Sequence, residues 1–177
     1  MKFPSGPILD RETHDLSTFS KGVVVFDRDG TMIEDAGQHN NPERLVFLPG
    51  VIEALKVLNS LNYGIAVASN QSGLESEKFT LAELMRFNDS LKEALTLNGA
   101  GEIHLIAICP HLGTSNCNCR KPKPGLLQEI ENSGIGEICL FVGNSDSDRQ
   151  AADTHCIDYL DVNSQNILDG ILNWSDK

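Results

Sequence analysis

Short apolar runs alternate along the chain with longer segments in which apolar residues recur at helical spacing. The runs at 22–27 and 64–69 are nearly continuous and rich in Val and Ile, which is typical of strands buried on both faces. Runs at 102–108, 138–143 and 156–162 have a similar character. Strands that alternate with helices predict an α/β fold with a doubly wound, mainly parallel sheet.

The segments between these runs predict helices. Val51, Leu55 and Leu58 fall on one helical face, and Thr80 with Glu83 forms a capping box before a long apolar stripe. Two further helices are expected around 125–134 and 148–155. No large insertion separates the first three predicted strands, so we expect no separate cap domain.

Composition and charge limit the classes of function. The 177 residues show no composition shift, so one domain is expected at 21–177, after a polar N-terminal arm at 1–20. A net charge of -11 argues against non-specific binding to nucleic acid or an anionic membrane, and no apolar run is long enough to span a bilayer. We expect a cytoplasmic monomer whose five cysteines are thiols or metal ligands.

Polar loops follow four of the predicted strands, where ligands bind in open parallel sheets. In FDRDGT, Asp27 and Asp29 lie two residues apart and can point the same way. Two such carboxylates suit Mg²⁺, and one could attack an electrophile, although a solvated turn has the same composition. In the later loops, SNQSG could cradle an oxyanion, CRKPKPG supplies three cations and VGNSDSD supplies acidic side chains, although each could be an ordinary polar turn.

Taken together, these loops resemble the motifs of the haloacid dehalogenase-like hydrolase superfamily. More narrowly, FDRDGT, SNQSG, a C-x-H…C-x-C loop and CRKPKPG resemble its histidinol-phosphate and D-glycero-D-manno-heptose 1,7-bisphosphate phosphatase branch. The resemblance extends from Val23 to Tyr159 and implies a Rossmann-like fold. It implies a magnesium-dependent phosphatase that acts on a small phosphorylated metabolite, such as the heptose bisphosphate.

The resemblance also implies roles for individual residues. Asp27 would form an aspartyl-phosphate, while Asp29 would protonate the leaving group and then activate water. The Mg²⁺ ligands would be Asp27, the backbone carbonyl of Asp29, Asn144 and Asp148. Contacts with phosphate or substrate would come from Arg28, Ser69, Asn70, Arg120 and Lys121.

The loop at 109–119 concentrates soft metal ligands. Cys109, His111, Cys117 and Cys119 supply three thiolates and one imidazole, which is a set that closes a tetrahedral Zn²⁺ site. Because no ligand position stays open, this zinc would be structural. It would fix the loop that delivers Arg120 and Lys121.

Several positions depart from the pattern of the branch. Asn144 stands where a magnesium-binding aspartate is usual, which predicts weaker Mg²⁺ binding. Ile33, Gln38 and Ser76 stand where the heptose branch usually has Asn, Tyr and Arg. Two alternatives therefore stay open: a histidinol-phosphate phosphatase, and a catalytically degenerate, zinc-bearing interaction module.

Overall fold

A six-stranded sheet forms the centre of the computed structural model, which describes residues 5–11, 19, 21–35 and 40–176. The sheet has the order β1-β4-β3-β2-β5-β6. Strands β2 to β6 are parallel to their neighbours, whereas β1 pairs antiparallel with β4. The strands are β1 (Ile8–Arg11), β2 (Val23–Phe26), β3 (Gly64–Asn70), β4 (Leu105–Cys109), β5 (Ile138–Gly143) and β6 (Asp158–Asp161).

Helices cover both faces of the sheet, as the alternating pattern predicts. On one face α1, α2 and α5 pack on Val24 and Phe26, and on the other face α3 and α4 pack with Val23 and Val25. Successive β2 side chains thus enter opposite cores, so the whole strand is apolar. The helices are α1 (Val51–Ser60), α2 (Leu81–Leu97), α3 (Gly125–Asn132), α4 (Asp146–His155) and α5 (Ile167–Ser175), with a 3-10 turn at Pro42–Arg44.

The predicted doubly wound sheet is confirmed, as is the capping box of Thr80 and Glu83 at the start of α2. The interpretation of residues 1–20 as a polar arm is wrong for Ile8–Arg11, which form the edge strand β1. The pattern was misleading because the buried position of β1 is Asp10. The predicted domain boundary at residue 21 stays a prediction. Gln38, which the sequence analysis singled out, lies outside the described residues.

The topology brings four loops to one edge of the sheet. The central strand β2 lies between β3 and β5, and β4 lies beside β3. The carboxyl ends of these parallel strands therefore open on the same side, so the loops that follow them meet there. In the part of the chain that the structure describes, no helix is long and apolar enough to cross a membrane.

Candidate functional site

A buried lysine joins two carboxylates at the carboxyl end of β2. The ammonium Nζ of Lys121 lies 2.7 Å from Asp27 Oδ1 and 2.7 Å from Asp148 Oδ1, and it donates to the Ala68 carbonyl at 2.7 Å. Lys121 is 4% exposed, Asp27 8% and Asp148 1%. Because these groups are almost shielded from water, their charges interact strongly.

Burial and charge shift the pKa of both Asp27 and Lys121. Burial raises the pKa of Asp27 to about 6, with Lys121 opposing the shift and Asp148 adding to it. Burial alone would lower the pKa of Lys121, but Asp27 and Asp148 outweigh it and raise the pKa above its ordinary value. The lysine is therefore a permanent cation, whereas the charge on Asp27 is held at an energetic cost.

Asp148 connects this ion cluster to α4. With Ser145 it forms a capping box, and its Oδ2 accepts hydrogen bonds from Ser145 Oγ at 2.7 Å, Ser145 N at 3.1 Å and Asn144 N at 3.3 Å. Its Oδ1 pairs with Lys121. Oδ2 is thus hydrogen-bonded, whereas the buried Oδ1 has an ion pair with Lys121 but no hydrogen bond. This geometry supports a role in holding Lys121, and magnesium ligation by Asp148 stays a prediction.

Asn144 packs against the loop that follows β2. Gly30 in that loop has φ +77°, and a Cβ at Gly30 would lie 2.3 Å from Asn144 Nδ2. Only glycine fits this backbone conformation and this close approach. The amide of Asn144 is therefore beside the turn that carries Asp27 and Asp29, which is where a magnesium ligand is expected.

Two residues hold the carboxyl group of Asp29. Arg28 donates from Nε to Oδ2 at 3.1 Å and from Nη2 to Oδ1 at 3.2 Å, and Gln71 Nε2 donates to Oδ2 at 2.7 Å. Gln71 Nε2 also reaches Ser69 Oγ at 2.8 Å. Sequence reasoning did not single out Gln71, although its place in the SNQSG loop was a usable signal.

The substrate contacts expected of Arg28, Asn70 and Arg120 stay predictions, and in the structure the three side chains bind protein groups. Arg28 is 2% exposed and binds Asp29 and Asn88. Asn70 exchanges hydrogen bonds with the backbone of Lys121, at 3.1 Å and 3.2 Å. Arg120 donates to the carbonyl of His111 at 3.0 Å. In this arrangement all three hold neighbouring protein groups in place.

A small cavity opens beside Asp29. Its volume is about 110 Å³, and its lining residues are Asp29, Asp35, Asn70, Gln71, Ser72 and Gly73. Because Asp29 and the SNQSG loop line the same cavity, a small ester group can reach the second carboxylate of the motif. The structure thus places a polar opening at Asp29, two residues along the chain from Asp27.

The four predicted zinc ligands lie together. Their ligand atoms are all within 4.8 Å of one another. Cys109 Sγ lies 3.6 Å from His111 Nδ1, 3.8 Å from Cys117 Sγ and 3.3 Å from Cys119 Sγ, and His111 Nδ1 lies 3.3 Å from Cys119 Sγ. The last of these residues, Cys119, lies two positions before Lys121, so the loop that carries the cluster leads directly to the lysine.

Glu75, in the loop after β3, binds the cysteine loop at 109–119. Glu75 Oε2 accepts a hydrogen bond from Ser115 Oγ at 2.7 Å and another from the backbone N–H of Leu112. On the other side Lys123 Nζ donates to the Cys117 carbonyl. The loops after β3 and β4 are therefore linked to each other as well as to the ion cluster.

Comparisons with known proteins agree with this arrangement. The family model described as polynucleotide kinase 3 phosphatase matches residues 22–164. A D-glycero-beta-D-manno-heptose-1,7-bisphosphate 7-phosphatase of Pseudomonas aeruginosa is 37% identical over 136 residues, which cover 75% of this chain and 76% of that protein. One of Neisseria meningitidis, with the same name, is 36% identical over 135 residues, which cover 74% of this chain and 71% of that protein.

Solved structures give the same result. The D,D-heptose 1,7-bisphosphate phosphatase of B. bronchiseptica, in complex with magnesium and phosphate, superposes with a TM-score of 0.72 at 31% identity, over 78% of each chain. A putative HAD-like phosphatase of Mesorhizobium loti has a TM-score of 0.80 at 22% identity, over 95% of this chain and 94% of that one, which shows the shared fold. The chain therefore belongs to the polynucleotide kinase 3 phosphatase family and is a phosphatase.

Proposed function

We propose that this protein hydrolyses the phosphate monoester of a small sugar phosphate, such as D-glycero-D-manno-heptose 1,7-bisphosphate, through an aspartyl-phosphate intermediate. The observation that carries the proposal is the contact of Asp27 with Lys121 at the end of the central strand, with Asp29 two residues further on. The names of the P. aeruginosa and B. bronchiseptica relatives support the substrate class.

In the first step, a carboxylate oxygen of Asp27 attacks the phosphorus atom, and the bond from phosphorus to the ester oxygen breaks. Lys121 contacts Asp27, and the Ser69 hydroxyl lies near the end of β3 beside Gln71, so both groups are suited to bind the non-bridging oxygens. Asp29, in its protonated form, gives its proton to the departing oxygen, which leaves as an alcohol. The phosphoryl group is then an acyl phosphate on Asp27.

In the second step, Asp29 is a carboxylate and accepts a proton from water. The water oxygen attacks the phosphorus, and the bond from phosphorus to Asp27 breaks, which releases inorganic phosphate and restores the Asp27 carboxylate. One carboxyl group therefore carries the phosphoryl group and the other moves protons. The two roles require two carboxyl groups in different environments. Asp27 is buried and Asp29 is more accessible, so the two residues meet this requirement.

The chain's own groups fit Mg²⁺. Asp27, Asp29 and Asp148 bring three negative charges, against two positive charges on Arg28 and Lys121, and oxygen ligands suit this hard cation. We expect the Asp27 carboxylate, the Asp29 carbonyl and the Asn144 amide to hold it. Bound Mg²⁺ neutralises the repulsion between the Asp27 carboxylate and the substrate phosphate.

The cysteine loop fits Zn²⁺. Ligand atoms at ~2.0–2.3 Å from a tetrahedral ion lie ~3.6–3.8 Å apart. Among Cys109, His111, Cys117 and Cys119 two separations are 3.6 Å and 3.8 Å and two are 3.3 Å, and all the ligand atoms lie within 4.8 Å of one another, which is close to that spacing. A hydrogen bond with Cys119 and burial raise the pKa of Cys109. Coordination removes that cost, because a coordinating thiol is deprotonated. We infer that the zinc is structural and positions Lys121.

One observation favours a second substrate. Ile33 is buried, and its backbone bridges to those of Asp29 and Phe47, while Ser76 Oγ donates to the carbonyl of Ser72 within its own turn. Neither side chain offers the polar group that the heptose branch usually has there. Histidinol phosphate, or another small phosphate ester, is therefore the alternative substrate.

Side-by-side turnover tests the proposal. We expect magnesium-dependent release of phosphate from heptose bisphosphate, at a kcat/KM above that for histidinol phosphate, and loss of both activities in Asp27→Asn. A higher kcat/KM for histidinol phosphate would assign the second substrate. No turnover of any phosphate ester, generic aryl phosphates included, would contradict the proposal and favour a degenerate interaction module.

A further inference from the structure

A buried chain of polar side chains runs from the edge strand β1 to Asp29. Asp10 Oδ2 accepts a hydrogen bond from Asn88 Nδ2 at 3.0 Å, and Asn88 Oδ1 accepts one from Arg28 Nη1 at 3.4 Å. Arg28 in turn donates two hydrogen bonds to the carboxylate of Asp29. Three contacts therefore connect a residue of the predicted N-terminal arm to the residue that moves protons.

Asn88, in the middle of this series of hydrogen bonds, can both donate and accept, which its neighbours in the series cannot. A guanidinium group only donates hydrogen bonds and a carboxylate only accepts them. An amide has one end of each kind, so Asn88 can accept from Arg28 and donate to Asp10 at the same time. Asn88 is 0% exposed, and an unpaired amide at such a site would be costly.

The surroundings fix the guanidinium of Arg28 in one orientation. Its Cζ atom lies 4.7 Å from the ring centroid of Phe87, which precedes Asn88 on α2. At the outer end, Lys92 Nζ lies 2.9 Å from Asp10 Oδ1 and compensates the charge of that carboxylate. Phe87 and Asn88 are adjacent on α2 and Lys92 lies one turn further along, so one helix supports the whole series of hydrogen bonds.

We propose that Asp10 and Asn88 are positioning residues, which act through Arg28 to hold the carboxyl group of Asp29 where it can protonate the leaving group. The inference rests on the proposed function. Asp10 lies outside residues 22–164, which the family model matches, and belongs to an antiparallel strand added at the edge of the parallel sheet. In this protein β1 thus contributes to the site as well as to the fold.

The choice of leaving group separates positioning from a general loss of stability. A nitrophenolate leaves readily without a proton, whereas an alkoxide needs one, so a misplaced Asp29 slows hydrolysis of alkyl esters most. The measured quantity is the ratio of kcat/KM for glycerol 2-phosphate to kcat/KM for p-nitrophenyl phosphate. This ratio covers the steps up to cleavage of the ester bond, and a smaller fraction of folded enzyme leaves it unchanged.

The main variant is Asn88→Leu, which removes both amide hydrogen bonds and keeps a similar volume. We expect the ratio to fall by about tenfold, which is part of the ~10²–10⁴-fold that a positioned general acid contributes. Asp10→Asn keeps the shape of β1 and provides the decisive measurement if Asn88→Leu does not fold. The ratio should fall by about threefold in that variant, because a neutral amide accepts a weaker hydrogen bond.

Arg11→Met is the matched control. Arg11 lies next to Asp10 on β1, but its Nη1 donates to the carbonyl of Ser133, away from Asn88. The variant weakens the attachment of the same strand and should leave the ratio unchanged. Circular dichroism and urea unfolding of each variant establish the folded fraction.

The outcomes are distinct. If the wild type hydrolyses neither of these esters nor heptose bisphosphate with Mg²⁺, the proposed function fails and the inference fails with it. If the wild type hydrolyses both esters and the ratio is unchanged in the folded variants, only the positioning role is overturned. A ratio that rises would also overturn it, since Arg28 would then withdraw Asp29 from the leaving group.

Discussion

Replacement of Asp27 by Asn should stabilise the protein at neutral pH although it abolishes hydrolysis. In the folded protein burial raises the pKa of Asp27 from 3.8 to about 6. Between these values the folded protein keeps a proton that the unfolded chain has released. The free energy of unfolding therefore decreases as the pH rises through this window, whereas the neutral amide of the variant has no charge to bury.

The size of the effect follows from the pKa shift. About two pH units at ~1.4 kcal/mol each give a cost of about 3 kcal/mol above pH ~6. This cost already includes the attraction between Asp27 and Lys121, and the amide oxygen of the variant can still accept a hydrogen bond from Lys121, so a net gain of at least about 2 kcal/mol is expected. In a domain of this length that gain raises Tm by roughly 4–8 °C.

The assay is urea unfolding of the wild type and Asp27→Asn from pH ~4 to pH ~8, in magnesium-free buffer. We expect the two proteins to differ little near pH ~4 and to diverge up to pH ~6. Asp153→Asn, which removes an exposed carboxylate on α4, is the control and should show no such divergence. A difference between wild type and Asp27→Asn that is independent of pH would refute the reasoning.

Three further predictions concern the cation, the magnesium ligand and the zinc. Lys121→Met should lower the free energy of unfolding at pH ~8 by about 3–5 kcal/mol in urea titrations, because two carboxylates stay buried without their partner. A loss below about 1 kcal/mol would contradict the buried ion cluster. Asn144→Asp should lower the Mg²⁺ concentration for half-maximal hydrolysis by about tenfold or more. The reason is that unit charges at ~4 Å and a dielectric of ~20 interact by ~4 kcal/mol before desolvation. An unchanged Mg²⁺ concentration for half-maximal hydrolysis would show that Asn144 is not a ligand. Cys119→Ser should lose bound zinc in elemental analysis and lose hydrolysis with it, whereas Cys139→Ser, at a half-buried thiol outside the cluster, should keep both.

The parallel part of the sheet could be predicted because its strands are apolar on both faces. Val23–Phe26 is buried at every position, so the sequence shows an unbroken run. The edge strand β1 has only one buried position, and it is Asp10, whose partners Asn88 and Lys92 lie about eighty positions further along the chain. No local pattern could show that this charge is compensated.

The same distinction applies to the site. The meeting of Asp27 with Lys121 follows from strand order, because both lie beyond the carboxyl ends of strands in the same parallel sheet. The direction of Arg28 does not follow, since a side chain in a turn can point either way. Its partner Asn88 is sixty positions away and was hidden within the apolar stripe of α2.

Asp27 and Lys121 lie on parts of the chain that should differ in their resistance to local unfolding. Asp27 follows a strand hydrogen-bonded on both sides, so the amide protons of β2 should exchange with solvent only when the whole domain opens. Lys121 follows a loop without regular secondary structure, which depends on the cluster of Cys109, His111, Cys117 and Cys119. Heating or removal of zinc should therefore inactivate the enzyme by displacing Lys121, while the sheet is still folded and Asp27 is still in place.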